Sequence, residues 1–162
     1  MTDYAAVKII VADEAALEQL AVAASIAMPD SSPLVMYLEG DLGAGKTTFA
    51  RALLRSMGEP GPVRSPTYGL MAEYTTPAGR VLHLDLYRIQ DPAELSQLGL
   101  ADYLPDSRLW LIEWPERAAG RLPASDMRLR LEVNEPGRSV EIRPTSPAGQ
   151  HWVNAISAGR FS

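Results

Sequence analysis

Gly40-Asp41-Leu42-Gly43-Ala44-Gly45-Lys46-Thr47 fits G-x-x-x-x-G-K-[ST], a loop that wraps phosphate. Its glycines let the backbone enter conformations that a Cβ forbids, so successive N–H groups converge on anionic oxygens. Lys46 adds a mobile positive charge for the outer phosphates, and Thr47 a hydroxyl of the kind that ligates Mg²⁺. A helix starting here aims the positive end of its dipole at the same anion. Asp41, Leu42, Gly43, Ala44, Gly45, Lys46, Thr47 and Thr48 are therefore the expected nucleotide contacts.

The flanks supply the setting such a loop needs. Ahead lies Leu34-Val35-Met36-Tyr37-Leu38, a short apolar run that reads as a buried strand. Behind lie Phe49, Leu53, Leu54 and Met57 at helical spacing, stopped by Gly58. A dinucleotide-binding loop is disfavoured, because the glycines fall as G-x-x-G-x-G and such a loop has no use for the Lys-Thr pair.

The 162 residues suit one domain with a substantial core, and 46% of them are apolar. No apolar run is long enough to span a bilayer, and the N-terminus lacks a signal-peptide pattern. Without cysteine there are no disulfides and no thiolate metal sites, which fits a reducing cytoplasm. A net charge of −5 argues against a large nucleic-acid footprint of its own.

Hydropathy outlines an α/β chain. Val7-Lys8-Ile9-Ile10-Val11 reads as a first strand, and Asp13 starts a helix to about Ala27 with Leu17, Leu20, Ala21 and Ala24 on its apolar face. Residues 68–74 and 81–87 flank a turn and read as a hairpin, and Asp91-Pro92 caps a short helix. Leu109-Trp110-Leu111-Ile112 is a second buried strand. Residues 127–133 and 139–142 pair across a turn at 134–137, and a short helix is expected after Pro147. The predicted architecture is one three-layer P-loop NTPase-like domain over residues 1–162, its mixed sheet including antiparallel hairpins.

A phosphate loop needs a carboxylate at the end of a neighbouring strand, to hold Mg²⁺ or its waters. Asp85 and Glu113 both end apolar runs, and both remain candidates. His83 reads as a structural residue on its strand. Arg64-Ser65-Pro66-Thr67, just past the helix, lies where nucleotide-dependent switch segments lie, and Thr67 is a candidate sensor of the γ-phosphate or metal. A plain turn accounts for the same spacing equally well.

With these pieces in place the chain resembles the TsaE (YjeE) family of small bacterial P-loop ATPases. The resemblance rests on the loop with Thr48-Phe49, then Ser65-Pro66-Thr67-Tyr68, His83-Leu84-Asp85-Leu86-Tyr87-Arg88 and Glu113-Trp114-Pro115-Glu116, in order over about residues 10–140. It implies an ATP/ADP- and Mg²⁺-dependent ATPase, slow alone, that serves the TsaB–TsaD pair in forming N6-threonylcarbamoyladenosine at position 37 of tRNAs reading codons that start with A. Hydrolysis would let that complex turn over repeatedly, with tRNA touched only indirectly. By the same resemblance Lys46 contacts phosphates, Thr47 and Glu113 match Mg²⁺ positions, and Asp85 matches the Walker-B-like acid. Thr67 sits in the switch-like loop, and Glu14 and Arg138 match positions near the nucleotide. Two rivals stay open: a small-molecule P-loop kinase, disfavoured because residues 58–67 are short for a lid and carry only Arg64, and a non-catalytic nucleotide switch.

Overall fold

The computed structural model describes residues 4–63 and 70–159. Its centre is one seven-stranded mixed sheet in the order β1-β7-β6-β2-β5-β4-β3. The strands are β1 (Val7–Val11), β2 (Leu34–Glu39), β3 (Met71–Thr76), β4 (Gly79–Asp85), β5 (Leu109–Glu113), β6 (Met127–Asn134) and β7 (Gly137–Pro144). Parallel pairing of β6, β2, β5 and β4 forms the middle, and antiparallel hairpins β3–β4 and β6–β7 extend it on either side. β1 closes the far edge by pairing antiparallel with β7.

Three α-helices cover one face: α1 (Glu14–Ile26), α2 (Lys46–Ser56) and α3 (Pro147–Gly159). Asp13 caps α1 by accepting the Ala16 N–H at 2.8 Å, which satisfies one of the donors a helix start leaves open. Leu17, Leu20, Ala21 and Ala24 are its buried residues, as the periodicity predicts. In α2, Phe49, Leu53 and Leu54 are wholly buried, each contributing roughly 1.5–3 kcal/mol of transfer free energy. Ser146 starts α3 by accepting the Gly149 N–H while donating to Asp126. The Trp152 indole then donates to the Ala24 carbonyl at 2.8 Å, pinning α3 to α1.

The third layer is made of short 3-10 helices (Pro92–Leu98, Leu100–Asp102, Leu104–Asp106 and Pro115–Ala118) rather than α-helices. Asp91 caps the first in a capping box with Glu94. This layer buries Val35, Leu82, Leu84, Trp110 and Ile112 from β2, β4 and β5. On β6 the corresponding face is exposed and polar at Arg128, Arg130 and Glu132, so the third layer covers only part of the sheet. Among the described residues no helix is long and apolar enough to cross a membrane.

Candidate functional site

The phosphate loop follows β2 at the carboxyl end of the parallel strands, where open α/β sheets gather their ligands. Gly40 has φ +141°, and a Cβ there would lie 2.4 Å from the Leu131 carbonyl oxygen, so only glycine fits. Gly45, at φ +113°, is the N-cap of α2, and Lys46 and Thr47 are its first two residues. Strand, loop and helix thus occur as the spacing predicts, with the helix N-terminus facing the cleft.

Lys46 is only 5% exposed. Its ammonium donates to the Gly40 carbonyl at 2.5 Å and the Asp41 carbonyl at 2.9 Å, and lies 4.3 Å from the centre of the Trp114 ring. Burial pushes its pKa below the ordinary lysine value, while Glu113, Asp85, Glu116 and Asp41 pull the other way. Trp114 has a left-handed backbone, φ +58°, unusual for a bulky residue. That conformation turns the chain out of β5 into the Pro115–Ala118 helix. The indole is tilted against Tyr87 at 5.0 Å, and Arg117 lies near both rings.

The two strand-end acids meet as partners. Asp85 and Glu113 are opposite one another in the parallel β4–β5 register, 4% and 2% exposed. Strand alternation puts them on the helix face, because Leu84 and Ile112 beside them face the other core. The Thr47 hydroxyl donates to Glu113 Oε1 at 3.3 Å, joining α2 to the end of β5. Asp85 accepts the Tyr87 N–H at 3.1 Å. Lys46, Thr47, Asp85, Arg88, Glu113 and Trp114 line a cleft of about 400 Å³ with the loop residues Leu42, Gly43, Gly45 and Thr48.

A hydroxyl and a carboxylate in contact, with a second carboxylate beside them, make an all-oxygen donor set suited to a hard cation such as Mg²⁺. Among the described residues no trio of His, Cys, Asp or Glu stands close enough to hold a metal unaided. Mg²⁺ shared with phosphate and water needs only one or two protein carboxylates. A larger hollow of about 620 Å³ lies beyond Trp114, lined by Asp41, Ala44, Glu116 and β6 residues, without Thr47 or either strand-end acid.

The remaining sequence candidates fall at the margin or outside. Arg138, the second residue of β7, donates its Nε–H to the Ala44 carbonyl at 3.0 Å, so it touches the phosphate loop itself. Glu14 is the exposed first residue of α1, one turn before Leu17, which packs against Gly45. Neither Glu14 nor Arg138 is among the described residues lining the cleft. Thr67, with the rest of residues 64–69, lies outside the described residues.

One contact goes beyond the sequence reading. His83 Nε2 lies 2.7 Å from Glu113 Oε2, and both side chains are buried. The signal was the alternation itself: His83 is two residues before Asp85 on one strand, hence on the same face. Which residue it touches depends on the β4–β5 pairing, which local pattern does not contain.

The family model for threonylcarbamoyl adenosine biosynthesis protein TsaE matches residues 11–140. The tRNA threonylcarbamoyladenosine biosynthesis protein TsaE of Haemophilus influenzae is 40% identical over 124 residues, spanning 76% of this chain and 78% of that protein. The Bacillus subtilis protein of the same name is 37% identical over 103 residues, 64% of this chain and 63% of its own length. A crystal structure of Bacillus subtilis YdiB superposes with a TM-score of 0.79 at 23% identity, covering 98% of this chain and 99% of that one, which shows a shared fold. With the family model spanning most of its length and the loop, strand-end acids and Glu-Trp pair in place, the chain belongs to the TsaE family.

Proposed function

We propose that this chain is an ATPase of tRNA threonylcarbamoyladenosine biosynthesis, acting in the cytoplasm with a TsaB–TsaD pair. The relatives named for that pathway support the biological role. The observation that carries the chemistry is the Thr47–Glu113 hydrogen bond at the mouth of the phosphate loop, with Asp85 in register beside Glu113. Bare nucleotide binding needs the loop and Lys46 but has no need of two buried carboxylates there.

The division of labour follows from position. Residues 41–48 offer backbone N–H groups and the α2 dipole to the phosphates. Lys46 swings from the Gly40 and Asp41 carbonyls to the outer phosphates, exchanging neutral acceptors for charged ones. When bound, Mg²⁺ would supply charge neutralisation for the transferring phosphoryl group. Thr47 and Glu113 are the residues that would hold it, and Asp85 is set to orient a water. Trp114 walls the cleft against solvent, which strengthens every charge interaction inside it. Glu14 and Arg138 are assigned to the neighbourhood of the nucleotide, Arg138 through the loop carbonyl of Ala44 to which it donates. Thr67 is assigned to sensing the γ-phosphate from the segment after α2.

ATP hydrolysis is to be measured for the chain alone, with TsaB–TsaD, and for Lys46→Ala and Glu113→Ala. The expected outcome is slow release of phosphate alone, stimulation by the pair, loss of nucleotide binding in Lys46→Ala, and retained binding without turnover in Glu113→Ala. Absence of stimulation by TsaB–TsaD would overturn the partnered-ATPase reading in favour of a nucleotide switch. A phosphorylated acceptor in a nucleoside panel would make the chain a kinase.

A further inference from the structure

The layer beneath the acids is apolar except at one position. On the helix face of β4 the inward positions run Val81, His83, Asp85, and on β5 they run Leu109, Leu111, Glu113. His83 is therefore one residue layer deeper than the acids, 0% exposed and opposite Leu111 in register. A buried imidazole is costly unless its nitrogens are hydrogen-bonded. Its one partner among the described residues is Glu113, at 2.7 Å from Nε2, while Nδ1 has none.

With the Glu113 carboxylate as acceptor, the shared hydrogen lies on Nε2, and in a neutral imidazole the unpartnered Nδ1 then carries no N–H to satisfy. Glu113 is then held at both oxygens: Oε2 by the imidazole from below, Oε1 by the Thr47 hydroxyl from above. Either contact alone leaves the carboxylate free to rotate about its last bond. Together they point Oε1 at Thr47 and into the cleft.

We infer that His83 is a positioning residue for Glu113, donating its Nε2–H to Oε2 so that Oε1 stays aimed at the Thr47 side of the nucleotide cleft. His83 reaches neither the nucleotide nor the metal. It acts through the acid, as a histidine–carboxylate pair orients a ligand in many metal sites. The inference rests on the proposed role of Glu113 in hydrolysis, and the test separates the two.

The chain carries only two histidines, and His151 is exposed on α3. In ¹⁵N-histidine-labelled protein the two imidazoles are told apart by the His151→Ala variant. The expected spectrum has His83 as the Nε2–H tautomer, with a resonance that moves in Glu113→Gln. An Nδ1–H tautomer, or a spectrum indifferent to Glu113→Gln, overturns the inference.

Kinetics supply the second arm. His83→Leu is expected to lower kcat for ATP hydrolysis, and to raise the Mg²⁺ needed for half-maximal rate, by about ten- to a hundred-fold, the scale of lost outer-shell partners. Nucleotide affinity measured in EDTA should stay unchanged. His83→Gln, which keeps an N–H donor, should recover most of the loss. Wild-type kcat in His83→Leu, or equal losses in both variants in step with thermal stability, reduces His83 to packing and overturns the inference. If Glu113→Ala itself hydrolyses ATP normally, the role of Glu113 fails on its own. The imidazole spectrum then decides alone whether His83 holds that carboxylate.

Discussion

The Thr47 hydroxyl and Glu113 Oε1, 66 residues apart in sequence, lie 3.3 Å apart where α2 begins and β5 ends. That contact joins the phosphate loop to the acid strand and sets the width of the cleft between them. It also means that a cation held by Thr47 has Glu113 within reach without rearrangement of the backbone.

Thr47→Val keeps the shape of the side chain and deletes the hydroxyl. It is expected to raise the Mg²⁺ concentration for half-maximal ATP hydrolysis by about ten-fold or more, since even indirect partners of metal ligands act on that scale. Thr47→Ser, which retains the oxygen, should remain near wild type. A Mg²⁺ titration of both variants checks this, and equal behaviour of the two would remove Thr47 from the metal-binding set.

Lys46 links the site to stability. Its folded pKa is lowered, chiefly by burial, from the ordinary 10.5. Between the lowered value and 10.5 the unfolded chain binds more protons at this position than the folded one, so stability contributed by Lys46 rises with pH there. Below the folded pKa both states are charged and the cost of burying the ammonium is present in full. Chemical denaturation from neutral pH toward 10.5 should therefore show wild type gaining on Lys46→Met, whose side chain does not titrate. A constant or shrinking difference across that window would contradict the sign.

How far the sequence reveals this architecture depends on the range of the interaction. Leu17, Leu20, Ala21 and Ala24 mark the buried face of α1 because helical period is local. The β6–β7 hairpin is likewise foreseen, but β7 runs Gly137–Pro144 instead of 139–142. Its ends are held by pairing with β1 on one side and β6 on the other, which no window contains. The 3-10 geometry of Pro92–Leu98 escapes the pattern too, since a helical period over seven residues does not separate it from α-helix. At the site, Lys46, Thr47, Asp85 and Glu113 converge as chemistry demands. The His83–Glu113 contact depends on strand register, and the position of Thr67 lies outside the described residues.

Two glycines of the loop should respond differently to the same substitution. Gly40→Ala places a Cβ 2.4 Å from the backbone oxygen of Leu131 at φ +141°, and neither can yield cheaply. Strain of this kind costs about 1–3 kcal/mol. For a chain of this size that lowers Tm by roughly 2–4 °C per kcal/mol. Gly43 has φ +79° with nothing within 4 Å of its added Cβ, so Gly43→Ala should cost less stability while narrowing the approach of phosphate. Thermal melts beside nucleotide titrations check the contrast. A Tm loss for Gly43→Ala as large as that for Gly40→Ala would show that the Leu131 clash does not set the difference.

Arg138 reaches the phosphate loop from the opposite side. Its Nε–H donates to the Ala44 carbonyl at 3.0 Å and its Nη1 to the Gly137 carbonyl at 3.2 Å, so the guanidinium bridges the start of β7 and the loop. Gly137 is fixed in turn, because a Cβ there would lie 2.1 Å from the Val11 carbonyl oxygen. Arg138→Ala removes a charge-assisted hydrogen bond worth about 1.5–3 kcal/mol and frees the loop at Ala44. The expected result is a weakening of ATP binding by about ten-fold or more, since 1.4 kcal/mol is a factor of ten. Arg138→Lys should rescue little, because an ammonium on a flexible stem lacks the fixed planar spacing with which the guanidinium Nε and Nη1 meet the Ala44 and Gly137 carbonyls. Calorimetric titration of the two variants is the check: full affinity in Arg138→Lys would show that charge alone suffices, and full affinity in Arg138→Ala that the clasp on Ala44 contributes nothing to the nucleotide.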